Sequence, residues 1–180
     1  MIFMPTHLAG AWVVDLERRE DDRGFFARAW CRREFESKGL DTRLVQCSIS
    51  RTERRGTLRG MHWQAEPHAE VKLVRCTRGA IWDEIIDLRP DSQTYTRHFG
   101  LELSAENGRA LYIPEGFAHG FVTLAEDTDV LYQMSEFYEP AAARGVRWND
   151  PVFGIAWPVT EPILHERDAS YRDFAPEPTA

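Results

Sequence analysis

The chain has 180 residues, of which 43% are hydrophobic and 12% aromatic, as in globular rather than disordered proteins. One domain, 1–180, is expected at this length. The net charge of −7 argues against a nucleic-acid partner. The apolar runs are too short to span a membrane, and the N-terminal residues lack the pattern of a secretion signal. Since the three cysteines form no CxxC pair, we expect a reduced, soluble, cytoplasmic protein with no membrane partner.

Followed from its N-terminus, the chain consists mostly of short strand-like segments. We predict strands at 11–16, 24–30, 44–50, 71–77, 80–88, 95–103, 110–113, 120–124 and 130–137. The charged segments 17–24 and 51–56 are predicted to be turns, and 32–39 is predicted to be a short helix anchored by Phe35. This spacing of strands and turns is typical of a sandwich or barrel. Residues 147–158 are predicted to form ordered coil, and the Pro-rich tail from 175 is expected to fray.

The stretch 57–76, TLRGMHWQAEPHAEVKLVRC, carries the strongest functional signal. If its second half is a strand, alternation places Lys72, Val74 and Cys76 on one face. A His62 and a Lys72 inside an otherwise apolar barrel would be a reaction centre. A single His beside aromatic residues is, however, more often an ordinary core residue.

Two stretches of the sequence can be compared with the metal-binding signatures of cupin barrels. The motif PEGFAH, ending at His119, has the spacing of the second cupin signature, whose His often binds metal. The first signature requires a His-x-His pair, but the matching place reads HWQ from His62, and Gln is a poor transition-metal ligand. His62 and His119 would need Glu66 or His68 to complete a metal site.

The same residues can be interpreted as acid–base groups. His62 can accept a proton at neutral pH if a carboxylate orients its second ring nitrogen, and both Asp168 and Asp83 are candidates. Tyr132 lies mid-strand in an apolar context, where a tyrosine is more often a core residue. If it faces the same cavity, it can return a proton from the opposite side, while Lys72 stabilises a developing oxyanion. These are the groups needed to invert a carbon next to a carbonyl.

A series of motifs runs in order along most of the chain. They are DRGFF at 22–26, LRGMHWQ at 58–64, KLVRC at 72–76, DLR at 87–89, LSAEN at 103–107, PEGFAHGF at 114–121, Tyr132, and RGVRWNDP at 144–151. In this series the chain resembles the dTDP-4-dehydrorhamnose 3,5-epimerase family from about residue 20 to 168. The resemblance implies an all-β double-stranded β-helix, the cupin jelly-roll barrel, with a few short peripheral helices. It also implies a homodimeric isomerase without metal or cofactor that acts on a nucleotide sugar, most simply a dTDP-linked one.

The resemblance also implies roles for individual residues. His62 matches the base that removes the proton at C3 and C5 of a 4-keto-6-deoxy sugar, and Asp168 matches its carboxylate partner. Tyr132 matches the proton donor, and Lys72 a contact near the keto oxygen. The implied substrate-binding positions are Arg23, Gln46, Arg59, His119, Tyr138 and Arg167. The arginines suit a diphosphate, and Tyr138 matches an aromatic that stacks on the base.

Four positions depart from the family pattern. Arg28 and Ala143 stand where family members commonly carry Glu, Ser48 lies near a frequent Asn, and Gln133 replaces a Lys. These changes leave open a different nucleotide, a different 4-keto sugar or inversion at one carbon only. A metal-dependent cupin enzyme and a non-catalytic sugar-nucleotide-binding module on the same barrel are the alternatives from other classes.

Overall fold

The structure, a computed structural model, describes residues 1–176, so the last four residues of the predicted frayed tail lie outside the described part. Thirteen strands and two short helices are found within 1–176. The strands are β1 (Ile2–Pro5), β2 (Trp12–Asp15), β3 (Arg19–Asp21), β4 (Gly24–Phe26), β5 (Gln46–Thr52), β6 (Leu58–Gln64), β7 (Lys72–Arg78), β8 (Ala80–Asp87), β9 (His98–Ser104), β10 (Ala110–Ile113), β11 (Phe117–Thr123), β12 (Thr128–Met134) and β13 (Ala143–Gly145). The helices are α1 (Arg32–Glu36) and α2 (Glu166–Ala169).

Two antiparallel sheets face each other across the core. One has the strand order β1-β2-β10-β7-β12-β5, and the other has the order β13-β6-β11-β8-β9. The hairpin β3–β4 stands apart as a two-stranded sheet. Because chain neighbours such as β7 and β8 lie in different sheets, the chain winds around a barrel, as a jelly roll does. The predicted all-β cupin jelly roll with short peripheral helices is confirmed.

The alternation along β7 determines which side chains face the inside of the barrel. Val74 and Cys76 are buried in the core between the sheets, whereas Leu73 packs in an outer cluster with Phe35 of α1. Lys72 shares the inward face with Val74 and lines a cavity there. The predicted alternation of this strand is therefore confirmed, and it directs an ammonium group into the barrel.

Several element boundaries differ from the sequence-based prediction. The aromatic segment predicted as a strand over 24–30 is a strand only at Gly24–Phe26, where all three residues are exposed and no core extends the pairing. The predicted turn 51–56 begins with two further residues of β5, because β12 pairs with that strand as far as Thr52. The charged segment 17–24 contains β3, which pairs with β4 as a hairpin. The strands β1, β6 and β13 and the helix α2 have no counterpart in the prediction.

Candidate active site

A cavity of about 640 Å³ opens between the two sheets. Its lining comes from β5, β6 and β7, from β11 and β12, and from the C-terminal segment that contains α2. The lining residues are Ser50, Thr57, Leu58, Arg59, His62, Lys72, His119, Tyr132, Ile163, Leu164, His165, Arg167 and Asp168. Three of them are Arg or Lys and one is a carboxylate, so the cavity is basic within a chain of net charge −7. Such a charge distribution attracts an anionic ligand.

His62 lies on β6 and is oriented by Asp168 of α2. Its Nε2 is 2.7 Å from Asp168 Oδ1, and the Gly60 N–H donates to Asp168 Oδ2 at 3.2 Å. Burial raises the pKa of Asp168, but the hydrogen bond and charge of His62 together with the Gly60 N–H outweigh it and hold this pKa below the ordinary value. The ionised carboxylate accepts from Nε2–H, which leaves Nδ1 of His62 free to accept a proton.

Gly60 makes this arrangement possible because it lets β6 approach β11 closely. A Cβ at Gly60 would lie 2.5 Å from Gly120 Cα and 2.9 Å from His119 O. Its φ of +129° is also a conformation that glycine adopts readily. The absence of a side chain at this position therefore keeps the Gly60 N–H within reach of Asp168.

A second histidine–carboxylate pair lies deeper in the barrel. His119 on β11 is paired in register with His62, and its Nε2 is 2.8 Å from Asp83 Oδ1. Both side chains are almost fully buried, at 4% and 0% exposure. Burial raises the pKa of Asp83, an effect that His119 opposes. The two carboxylate candidates for His62 are thus distinguished: Asp168 pairs with His62, and Asp83 pairs with His119.

Tyr132 faces His119 from the opposite sheet. Its ring centroid lies 5.8 Å from that of His119 in an edge-on arrangement. Burial raises the pKa of Tyr132, and the nearby Asp83 charge adds to this effect, while Arg59 opposes it. The phenol therefore stays protonated and can act as a donor. Since β12 belongs to the six-stranded sheet and β6 to the five-stranded one, Tyr132 and His62 reach the cavity from opposing walls.

Lys72 enters the cavity from the same sheet as Tyr132. Its Nζ forms an ion pair with Glu70 Oε1 at 2.9 Å, and both side chains are 11% exposed. Glu70 therefore holds the ammonium of Lys72 in place at the cavity surface. A fixed cation at this point can stabilise an oxyanion that develops on a bound substrate.

The other predicted substrate-binding residues, apart from Arg23, lie in this cavity or beside it. Arg59 and Arg167 line it, as His119 does. Tyr138 is 58% exposed and lines an adjoining cavity of about 230 Å³ that shares His62 and Arg167. Gln46 lies beside Tyr138, whose backbone N–H donates to Gln46 Oε1 at 3.3 Å.

Arg23 does not line this cavity. It lies at the tip of the β3–β4 hairpin, 89% exposed, and forms an ion pair with Asp21 at 2.5 Å. Of the departures from the family pattern, Ala143 lines the adjoining cavity, and Arg28 pairs with Glu34 at 2.7 Å. Ser48 is an exposed residue of β5 opposite Tyr132.

Several residues of the site are not evident from the sequence. Gly60 stands out only as part of a motif, and its N–H contact with Asp168 depends on a helix over a hundred positions away. Ser50, Leu164 and His165 also line the cavity. Nothing in the local pattern of the C-terminal coil indicates that it closes one side of the site.

Within residues 1–176, no three His, Cys, Asp or Glu side chains come together in a group able to hold a metal ion. His62 and His119 each have a carboxylate partner of their own. In the same range no helix has both the length and the apolar character needed to cross a membrane.

The fold and the site together define a jelly-roll protein with a carboxylate-paired imidazole and a protonated phenol on opposing walls of one cavity. Comparison with known proteins identifies the family. The family model described as dTDP-4-dehydrorhamnose 3,5-epimerase matches residues 5–176. A protein of that name from Pseudomonas aeruginosa is 45% identical over 174 residues, covering 94% of this chain and 95% of the relative.

Solved structures agree with the sequence comparison. A dTDP-4-dehydrorhamnose 3,5-epimerase from Elizabethkingia anophelis has a TM-score of 0.94 and 38% identity, covering 97% of this chain and 96% of the other. One from Bacillus anthracis, with TDP and PPi bound, has a TM-score of 0.93 and 40% identity over 96% and 99% of the chains. The chain belongs to the dTDP-4-dehydrorhamnose 3,5-epimerase family and is an isomerase.

Proposed function

We propose that this enzyme inverts C3 and C5 of a dTDP-linked 4-keto-6-deoxyhexose. The observation that carries the proposal is the placement of a carboxylate-oriented imidazole and a protonated phenol on opposing walls of one basic cavity. Inversion requires a proton to leave one face of a carbon and another to arrive on the opposite face. The 4-keto group makes the neighbouring C–H bonds acidic, so one base and one opposed acid suffice for both carbons.

His62 is the proposed base. Its Nδ1 takes the proton from the carbon next to the carbonyl, and the resulting imidazolium is stabilised by Asp168. The electron pair moves from the C–H bond into the carbonyl, which becomes an enolate oxygen. We assign Lys72 to that oxygen, because its ammonium is fixed by Glu70 at the cavity surface. Tyr132 then donates its phenolic proton to the opposite face of the carbon.

We assign nucleotide binding to the arginines that line the cavity and to Tyr138 in the adjoining cavity. Arg59 and Arg167 provide guanidinium groups for the diphosphate, which a planar guanidinium binds with paired hydrogen bonds. His119 contributes to the sugar side of the cavity. Tyr138 offers an exposed ring for stacking on the base, with Gln46 beside it. The TDP bound by the Bacillus anthracis relative supports a thymidine nucleotide as the ligand.

The enzyme is proposed to act as a homodimer. The β3–β4 hairpin carries Phe25 and Phe26 at 51% and 74% exposure, and Ile49 of the edge strand β5 is 71% exposed. Exposed apolar groups on a hairpin and on an unpaired sheet edge are features of an association surface. Arg23 lies on the same hairpin, outside its own chain's cavity. If Arg23 binds substrate, it therefore does so in the cavity of a second copy.

A cytoplasmic location is proposed on the basis of cysteine chemistry. Cys31, Cys47 and Cys76 are all free, and disulfides are typical of oxidising compartments. Fractionation of cells that express the tagged protein tests this, and recovery from an oxidising compartment would overturn it.

Solvent exchange tests the activity directly. The wild-type enzyme in D2O is expected to place deuterium at C3 and C5 of a dTDP-4-keto-6-deoxy sugar, as followed by NMR. The same sugar linked to other nucleotides shows how strongly the rate of exchange depends on the thymine base. Label at one carbon only would assign a mono-epimerase, and label at neither carbon with any nucleotide would overturn the proposal.

A further inference from the structure

The short helix α2 bridges two anchored points of the C-terminal segment. On its N-terminal side, Ile163 is tied to the start of β6, because its carbonyl accepts from Leu58 N at 2.9 Å and its N–H donates to Gly56 O at 2.8 Å. On the other side, Asp168 is held by His62 and by the Gly60 N–H. The path of the chain between these points determines where the carboxylate that orients His62 is presented.

His165 stabilises the helix between these two points. Its Nδ1 accepts a hydrogen bond from the Arg167 N–H at 3.2 Å, as the side chain of a helix N-cap does. Its carbonyl accepts from Asp168 N at 2.9 Å and from Ala169 N at 3.1 Å. A helix of four residues has few internal hydrogen bonds, so a cap contributes a large share of its stability.

An imidazole differs from the usual capping side chains because its acceptor nitrogen can be protonated. Serine, asparagine and threonine caps work at every pH, whereas Nδ1 accepts a hydrogen bond only while it carries no proton. Protonation of His165 would therefore place a donor against the Arg167 N–H and remove the cap.

We propose that His165 is a positioning residue whose unprotonated ring caps α2 and so holds Asp168 in place to orient His62. This inference rests on the proposed function of His62 as the base. It gives the His165 side chain a role in the geometry of the His62–Asp168 pair. His165 acts through Asp168, because the Asp168 N–H bonds to the His165 carbonyl within the same capped turn.

Other charged and titratable groups lie near His165, and a test must distinguish their effects from those of His165. Within α2 these are Glu166, Arg167 and Asp168. Tyr171 accepts a hydrogen bond from Arg167 Nε at 2.9 Å. Others line the cavity: Arg59, His62, Lys72, His119 and Tyr132. His62 and His119 are present in every variant of His165, so a comparison among such variants isolates the cap.

The test measures the pH dependence of deuterium incorporation between pH 5 and 9 for wild type, His165→Ala and His165→Ser. At pH 8 His165→Ala is expected to lose about fivefold in rate, the effect of a missing helix cap. His165→Ser is expected to recover most of that loss, because its hydroxyl also caps. Across this pH range the rate of His165→Ala is expected to stay below that of His165→Ser, whose side chain still caps α2. His7→Ala removes an exposed imidazole outside the cavity and should reproduce the wild-type profile.

A readout without substrate separates this inference from the proposed function. In the ¹⁵N NMR spectrum of the histidine-labelled enzyme at pH 8, the His62 ring signals should move in His165→Ala and return in His165→Ser. Unchanged His62 signals in His165→Ala, or a rate of His165→Ser no higher than that of His165→Ala, would overturn the inference. If the wild type incorporates no deuterium while the His62 signals respond as expected, the proposed function fails and the positioning role stands.

Discussion

At the scale of single residues, the two histidine–carboxylate pairs differ in their access to a substrate. The His62 side chain is 40% exposed, whereas His119 and Asp83 are both almost fully buried. The second carboxylate oxygen of Asp83 has no hydrogen-bond partner among the described residues. We therefore assign proton abstraction to His62 and interpret His119–Asp83 as a fixed polar wall behind the substrate.

Loss of the carboxylate that orients His62 should affect rate more than folding. An Asp168→Asn variant keeps the shape of the side chain but no longer selects the tautomer with a free Nδ1. We expect kcat to fall by about 10²–10⁴-fold. Steady-state kinetics measure the effect, with Glu166→Gln on the exposed face of α2 as the matched control. A rate above a tenth of wild type in Asp168→Asn would contradict the assignment.

Burial raises the pKa of Tyr132, and this leads to a second prediction at the scale of single residues. A raised pKa keeps a phenol protonated to higher pH, so Tyr132 should remain a donor at a pH where an ordinary tyrosine, with a pKa of about 10, is largely ionised. Tyrosinate absorbance titrations of wild type and Tyr132→Phe should superimpose up to about pH 10.5. One additional tyrosinate in the wild type below that pH would show that the phenol is not buried as described.

At the scale of elements, the close approach of β6 and β11 is required for the site. A Gly60→Ala change would bring a methyl group against Gly120 and force the strands apart, in addition to straining the backbone. We expect a loss of about 3 kcal/mol in the free energy of unfolding, measured with denaturant. Gly39→Ala is the control, because its φ is also positive but open space surrounds it, and it should cost only about 1 kcal/mol. Equal losses in both variants would contradict the packing argument.

The elements also show what local pattern can and cannot predict. The strand at 110–113 follows from a short apolar run, and the inward face of β7 follows from alternation, because both strands lie against the core. Alternation does not predict α2, which is four residues long, nor the partner of His62, which depends on how a distant coil folds back. The family resemblance indicated Asp168, whereas the residue pattern left Asp83 equally open. The roles of His165 and Gly60 follow only from contacts that the folded structure brings about.

At the scale of the whole molecule, the proposed dimer predicts complementation between two inactive chains. A mixture of His62→Ala and Arg23→Ala chains should contain mixed dimers in which one cavity has both groups. Half of the dimers are mixed and each has one complete site, so activity should recover to about a quarter of wild type. Two results would contradict the proposal that Arg23 acts across the interface. One is no recovery of activity after co-expression, and the other is a wild type that sediments as a monomer at micromolar concentration.

The most direct test of a base and an acid on opposing walls measures exchange and inversion in the same sample. In D2O, His62→Ala should show neither deuterium incorporation nor inversion at C3 and C5, because no proton is removed. Tyr132→Phe should still incorporate some deuterium, because His62 can remove and return a proton on its own face, but it should not invert the carbon. Inversion at the wild-type rate in Tyr132→Phe, or exchange at the wild-type rate in His62→Ala, would contradict the two-wall account.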